Sequence, residues 1–126
     1  MATTQQLPRA PYWFTIGGRV EGTETHRQTA IRELREEVGL VVQETDLVGP
    51  VHHGEHSCSL AGVAYRSHAT FFAAKVEEVP VRPLGLSDES ITDARWWAPE
   101  ELAGVPFSNP RIPEIVALAV LAANGE

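Results

Sequence analysis

The chain has 126 residues and a mass of 13.8 kDa, one domain's worth and long enough to bury one hydrophobic core. Hydrophobic residues make up 43% and charged residues 21%, which argues against a disordered chain, and ten Lys and Arg against seventeen Asp and Glu give a net charge of −7, which excludes a basic nucleic-acid-binding surface. No apolar run reaches the roughly 20 residues of a membrane span, and the one cysteine, Cys58, excludes a disulfide framework or an all-cysteine zinc site within a monomer.

Residues 1–11 read as a flexible lead-in, and the polar stretch 1–9 lacks the apolar segment of a signal peptide. A soluble cytoplasmic protein is therefore expected, organised as a single domain over 1–126. Residues 12–16 are apolar and aromatic and predict a strand, ended by Gly17 and Gly18. Residues 19–24 are polar and predict a loop. Thr25, with Gln28 three residues later, has the pattern of a capping box. Nothing breaks a helix over 26–38, and Gly39 stands where helices stop.

Strand patterns follow. Residues 40–42 are β-branched and apolar. Residues 47–51 contain Gly49-Pro50 and predict a broken or edge strand. Residues 62–76 are the strongest strand in the chain, with 52–60 as partner and a turn near Ala61-Gly62. Residues 80–87 predict a loop, 94–97 a short strand and 99–102 the first turn of a small helix. A last helix spans 113–123, with Pro113 in its first turn and Gly125 past its end. The mixed element order gives an α/β or α+β class.

The informative segment is GRVEGTETHRQTAIRELREEVGL, residues 18–40. With Glu33 set at zero on a helical wheel, Glu36 falls near about −60° and Glu37 near about +40°, so three carboxylates share one arc of about 100°. Ile31, Leu34 and Val38 form a separate apolar stripe that can pack on a sheet. Taken alone, such a charge run is a solvated helix face. A hard divalent cation such as magnesium or manganese would turn the repulsion among three carboxylates into binding.

The flanking residues decide between these. Gly18, five residues, Glu24, seven residues, then Arg32-Glu33-Leu34-x-Glu36-Glu37-x-Gly39-Leu40 resembles the Nudix box in every specified position. A chance match is on the order of one in 10⁹ per start position. The box covers 23 of the 126 residues. Weaker likeness extends to residues 12–18 before it, and to Arg95-Trp96-Trp97 and Pro99-Glu100-Glu101-Leu102 after it.

The resemblance implies an α/β/α sandwich around a mixed sheet. It also implies a metal-dependent pyrophosphohydrolase that cleaves a nucleoside diphosphate linked to another moiety, using Mg²⁺ or Mn²⁺. Carried over residue by residue, Glu36, Glu37 and the Gly17 carbonyl would be metal ligands. Glu33 would be a ligand or the base that activates water. Arg32 would orient the glutamates, and Glu24, with Gly18 beside it in the loop, would hold the loop to the helix or support the metal shell. The rival of another class is a non-catalytic Nudix domain that binds a nucleotide as a regulator; the intact glutamates favour the enzyme.

The chain departs from the family pattern in three places. Ile16 stands where a proline usually precedes the glycine pair. The usual Glu-x-Gly-Glu reads Glu21-Gly22-Thr23-Glu24. The 17 residues before Gly18 leave the N-terminal strands shortened or missing. That deficit, with the apolar last helix, points to a homodimer. Glu89, in the loop before Trp96, is a further candidate for the active site. His52, His53, His56 and Cys58 match no standard zinc spacing.

Overall fold

The computed structural model describes residues 2–6, 12–60, 63–84 and 91–125. Its elements in chain order are β1 (Ala2–Gln6), β2 (Tyr12–Thr15), α1 (His26–Val38), a 3₁₀ turn at Glu44–Asp46, β3 (Leu47–Leu60), β4 (Val63–Ala74), β5 (Ile91–Trp96), a 3₁₀ turn at Pro99–Glu101 and α2 (Ile112–Ala123).

The strands form a three-stranded sheet in the order β2-β1-β5 and a separate β3-β4 hairpin. Strand β1 is a correction to the sequence reading. Residues 2–6, expected in a flexible lead-in, are the central strand, with Thr3 opposite both Thr15 and Arg95. β1 supplies backbone partners to β2 and β5 together, so the case for a homodimer loses its missing central strand and keeps only the apolar α2. Propensity hid this strand: the segment ATTQQ is polar, and its place is set by neighbours on both edges. The three described ladders are antiparallel, with one parallel bridge between Trp13 and Phe107.

Residues that alternate along β2 and β5 point to opposite faces, and each face carries one core cluster. On one face Trp13 and Trp97 meet edge to face, 5.0 Å apart, and pack with Leu102 and with Ile112 and Val116 of α2. On the other, Ala94 packs with Val38 and Leu40 at the end of α1, flanked by Ile16, Leu34, Val81 and Trp96. The two helices thus lie on opposite faces of the sheet, the expected α/β/α arrangement.

Helix α1 has the start and stop read from its sequence. The Thr25 side chain accepts from the Gln28 N–H, the Gln28 side chain accepts from the Thr25 N–H, and Gly39 closes the helix at φ 74°. The stretch 40–42, expected as a strand, is irregular; Leu40 and Val42 are buried while Val41 is exposed. Its alternation reflects packing beneath a loop rather than a ladder.

The stretch 47–51 does join β3, although β3 is broken there. Val48 pairs with Ala73 and His52 with Phe71, so β3 carries two extra residues across the gap. Gly49 sits at φ 123°, and a side chain there would meet the Val51 nitrogen at 2.6 Å. Only glycine tolerates that conformation. β5 starts at Ile91, three residues before the expected 94. Helix α2 buries Ile112, Ile115 and Val116 and leaves Leu118, Val120 and Leu121 exposed. Glu114 in its first turn is held below the usual carboxylate range by Arg111 and, further, by the nearby His52. Among the described residues, no helix is long and apolar enough to cross a membrane.

Candidate active site

The loop 17–24 and the helix α1 build one network around Arg32. Glu24 closes the loop on itself: its N–H donates to the Glu21 carbonyl at 3.0 Å and its Oε1 accepts from the Glu21 N–H at 2.9 Å. Its carboxylate then receives Arg32 in two bonds, Nε to Oε2 at 2.7 Å and Nη2 to Oε1 at 3.1 Å. The Thr29 hydroxyl donates to the same Oε1 at 3.0 Å. Planar guanidinium matches a carboxylate in this paired way, which a point-charge ammonium cannot do.

The rest of Arg32 turns to the helix. Nη1 donates to Glu33 Oε1 at 2.9 Å and to Glu36 Oε1 at 3.1 Å, and Nη2 donates to the Arg19 carbonyl at 3.0 Å. One side chain therefore joins three of the box carboxylates and the loop backbone. The pairing holds the Glu24 carboxyl down at about 2, chiefly through the Arg32 hydrogen bond, and raises Arg32, chiefly through Glu24.

Glu33 and Glu37 are buried, at 3% and 4% exposure, one helical turn apart beside the buried Val38. The acidic face of α1 is thus turned inward rather than solvated. Gly18 lies directly against it: a Cβ at that position would come within 2.6 Å of the Glu33 carboxyl carbon. The glycine of the box is needed for this close approach of loop backbone to carboxylate. Glu36 is half-buried and sits on the Arg32 side.

Glu24, Arg32, Glu33 and Glu36 are brought together, with Gly18 against Glu33. Glu37 lies on the same buried flank, and its own carbonyl accepts the Leu84 N–H at 2.9 Å, which straps the 79–84 segment over the helix end. Among the described residues, no three His, Cys, Asp or Glu side chains converge as a bound metal requires. The donor chemistry nonetheless fits a hard cation: carboxylate oxygens and backbone carbonyls, without thiolate or imidazole. Glu89 lies outside the described residues. His52 and His53, adjacent on β3, point to opposite faces of the hairpin.

Two residues of this region were not singled out from sequence. Thr29 falls near about −40° on the same wheel, between Glu33 and Glu36, so its place in the network was readable from periodicity. Arg27 was not readable, because its partners are backbone carbonyls 17 to 22 residues away.

The family model for the NUDIX domain matches residues 2–118 of the chain. The chain belongs to the Nudix family. It is 30% identical over 118 residues to the CTP pyrophosphohydrolase of Escherichia coli, covering 94% of this chain and 78% of that protein. Among solved structures it is similar to a C. elegans Ap4A hydrolase binary complex, with a TM-score of 0.65 at 15% identity over 99% of this chain and 86% of the other. It is also similar to the E. coli ORF135 protein, with a TM-score of 0.55 at 25% identity over 98% and 81% of the two chains. The first structural likeness establishes the Nudix fold alone. The family membership accounts for why Gly18, Glu24 and the Arg32–Gly39 run occur together at their spacing.

Proposed function

We propose that this Nudix protein hydrolyses a phosphoric anhydride bond in a nucleoside diphosphate linked to another moiety, assisted by Mg²⁺ or Mn²⁺. The observation that carries the reading is the complete box, folded with Glu33 and Glu37 buried and with Arg32 bonded to Glu24, Glu33 and Glu36. Burying carboxylates costs stability unless a cation offsets it, so a fold that keeps them inside is built around positive charge.

Glu33, Glu36, Glu37 and the Gly17 carbonyl would hold the ion, which supplies neutralisation of charge developing on the diphosphate oxygens and a lowered pKa for attacking water. Arg32 holds Glu33 and Glu36 in orientation, and Glu24 fixes Arg32. Glu33 also suits the role of general base, since its carboxylate is fixed by the Arg32 Nη1 bond and by the Gly18 backbone against it. The relative named a CTP pyrophosphohydrolase makes a nucleoside triphosphate, CTP first, the favoured substrate class.

The test is a panel of nucleoside triphosphates, sugar nucleotides and dinucleoside polyphosphates, assayed with Mg²⁺ or Mn²⁺. Release of nucleoside monophosphate and pyrophosphate, or of the corresponding pair of products, is expected. Nucleotide binding without turnover across the panel would favour a non-catalytic regulator instead.

A further inference from the structure

A ring pair and a cation–ring contact separate the two faces of the β3–β4 hairpin. His52 and Phe71 are directly paired, with rings 5.8 Å apart, and share one face. Neighbouring residues of a strand point oppositely, so Phe72 lies on the other face. There the Arg27 guanidinium of α1 stands 5.4 Å from the centre of the Phe72 ring. Further along this second face come the cross-strand pairs His53–Thr70 and Glu55–His68. His53 Nδ1 and Thr70 Oγ1 are 2.7 Å apart, and His53, Glu55 and His68 are exposed. This polar, open face is on the α1 side of the hairpin.

Arg27 also binds the hairpin's base. Its Nη2 donates to the carbonyls of Glu44 and Leu47, each at 2.9 Å, and its Nη1 to the carbonyl of Gly49 at 3.2 Å. The Leu47 and Gly49 carbonyls flank the break in β3, where Pro50 has no N–H and the register slips, and the Glu44 carbonyl lies in the 3₁₀ turn just before the strand. Backbone carbonyls at such a break need donors from elsewhere. One planar guanidinium reaches all three and still stacks on Phe72, a combination a lysine cannot reproduce. On the helix, Arg27 lies about 120° round from Glu33, so the hairpin flanks the carboxylate face rather than backing it.

We propose that Arg27 is a positioning residue. It fixes α1 and the hairpin in one relation, so that a substrate held by its diphosphate at the α1 carboxylates presents its other moiety to the face carrying His53, Glu55, His68 and Thr70. This rests on the hydrolase reading given above. Two anchor points bind one ligand well only when their separation is fixed, and a small misplacement of a bound substrate costs rate steeply.

The experiment compares Arg27→Lys and Arg27→Met with the wild type, at a temperature where circular dichroism shows all three folded. Turnover of CTP is measured beside turnover of inorganic tripolyphosphate, which offers the anhydride without a nucleoside. The ratio of their kcat/KM values is expected to fall by about tenfold in both variants. Lysine restores thermal stability relative to methionine but does not restore the ratio. A merely structural clamp would lower both activities together, so a ratio within twofold of wild type overturns the proposal and leaves the hydrolase reading standing.

Calorimetry with Mg²⁺ and a non-hydrolysable CTP analogue gives a readout without turnover, and binding about tenfold weaker is expected in both variants. A wild type that binds the analogue but hydrolyses nothing, with binding weakened in the variants, overturns the hydrolase reading and supports the role of Arg27. A wild type that neither binds nor hydrolyses overturns both.

Discussion

Arg32→Leu tests whether the box is held by charge or by packing. The substitution keeps an apolar stem but removes the guanidinium bonds to Glu24, Glu33, Glu36 and the Arg19 carbonyl. The heaviest loss concerns Glu33, whose side chain is 4% exposed against 14% for Arg32. Removing one partner of a buried pair costs about 3–5 kcal/mol. The expected loss through Glu33 is about 3 kcal/mol at pH 7, or roughly 10 °C in Tm for a chain of this length.

A double-mutant cycle isolates that term. Urea denaturation is measured for wild type, Arg32→Leu, Glu33→Gln and the double variant, in chelator, at pH 7. Glutamine is nearly isosteric and carries no charge to strand, so Arg32→Leu should cost about 2–3 kcal/mol less in the Glu33→Gln background. A coupling below about 0.5 kcal/mol would refute the argument that Arg32 neutralises a buried carboxylate.

Saturating Mg²⁺ or Mn²⁺ should stabilise the fold by linkage, about 2.7 kcal/mol at a hundred times Kd, and Glu37→Gln should abolish the shift in a thermal melt. An unchanged shift in that variant removes Glu37 from the ligands. Glu33→Gln should lower any hydrolase activity by about 10²–10⁴, as loss of a general base does; wild-type turnover would move the base elsewhere, with Glu89 the next position to test. The Glu24 carboxyl is depressed from 4.5 to about 2, first by its Arg32 hydrogen bond, so its stabilising contribution is complete above about 4.5 and is lost as pH falls toward 2. Urea midpoints across that window should drop less steeply in Glu24→Gln than in wild type, and parallel curves would contradict the assignment. Gly18→Ala should impair metal binding more than folding, since its methyl group displaces the end of the Glu33 side chain; equal metal-induced melting shifts in the variant and wild type would count against that.

The site was far more legible in the sequence than the sheet was. Helix α1 carries its own instructions: Thr25 and Gln28 begin it, Gly39 ends it, and the spacing of Glu33, Glu36 and Glu37 is fixed by helical geometry. Those signals act within a few residues, so they survive reading without a structure. β1 shows the opposite case. Nothing in ATTQQ marks a central strand, because its stability comes from β2 on one edge and β5, about ninety residues later, on the other. The stretch 40–42 failed in the complementary way. Its β-branched residues satisfy strand propensity, yet it packs as a loop because Leu40 and Val42 fill the core beneath α1.

The burial of the acidic face could not be read from periodicity, which places three glutamates on one arc but does not say what that arc meets. The decisive neighbours are Gly18, which lets loop backbone lie against Glu33, and Arg32, whose Nη1 bonds Glu33 and Glu36 together. Each is specified in the box for a physical reason. A larger residue at 18 would push the carboxylate out, and lysine at 32 would supply charge without the fork that spans Glu24, Glu33 and Glu36. The same reasoning extends to Arg27, which no motif specifies. A box needs its helix docked on the rest of the chain. Here the apolar contacts of Leu34 and Val38 dock it on the sheet, and Arg27 adds a polar tie to the carbonyls of Glu44, Leu47 and Gly49.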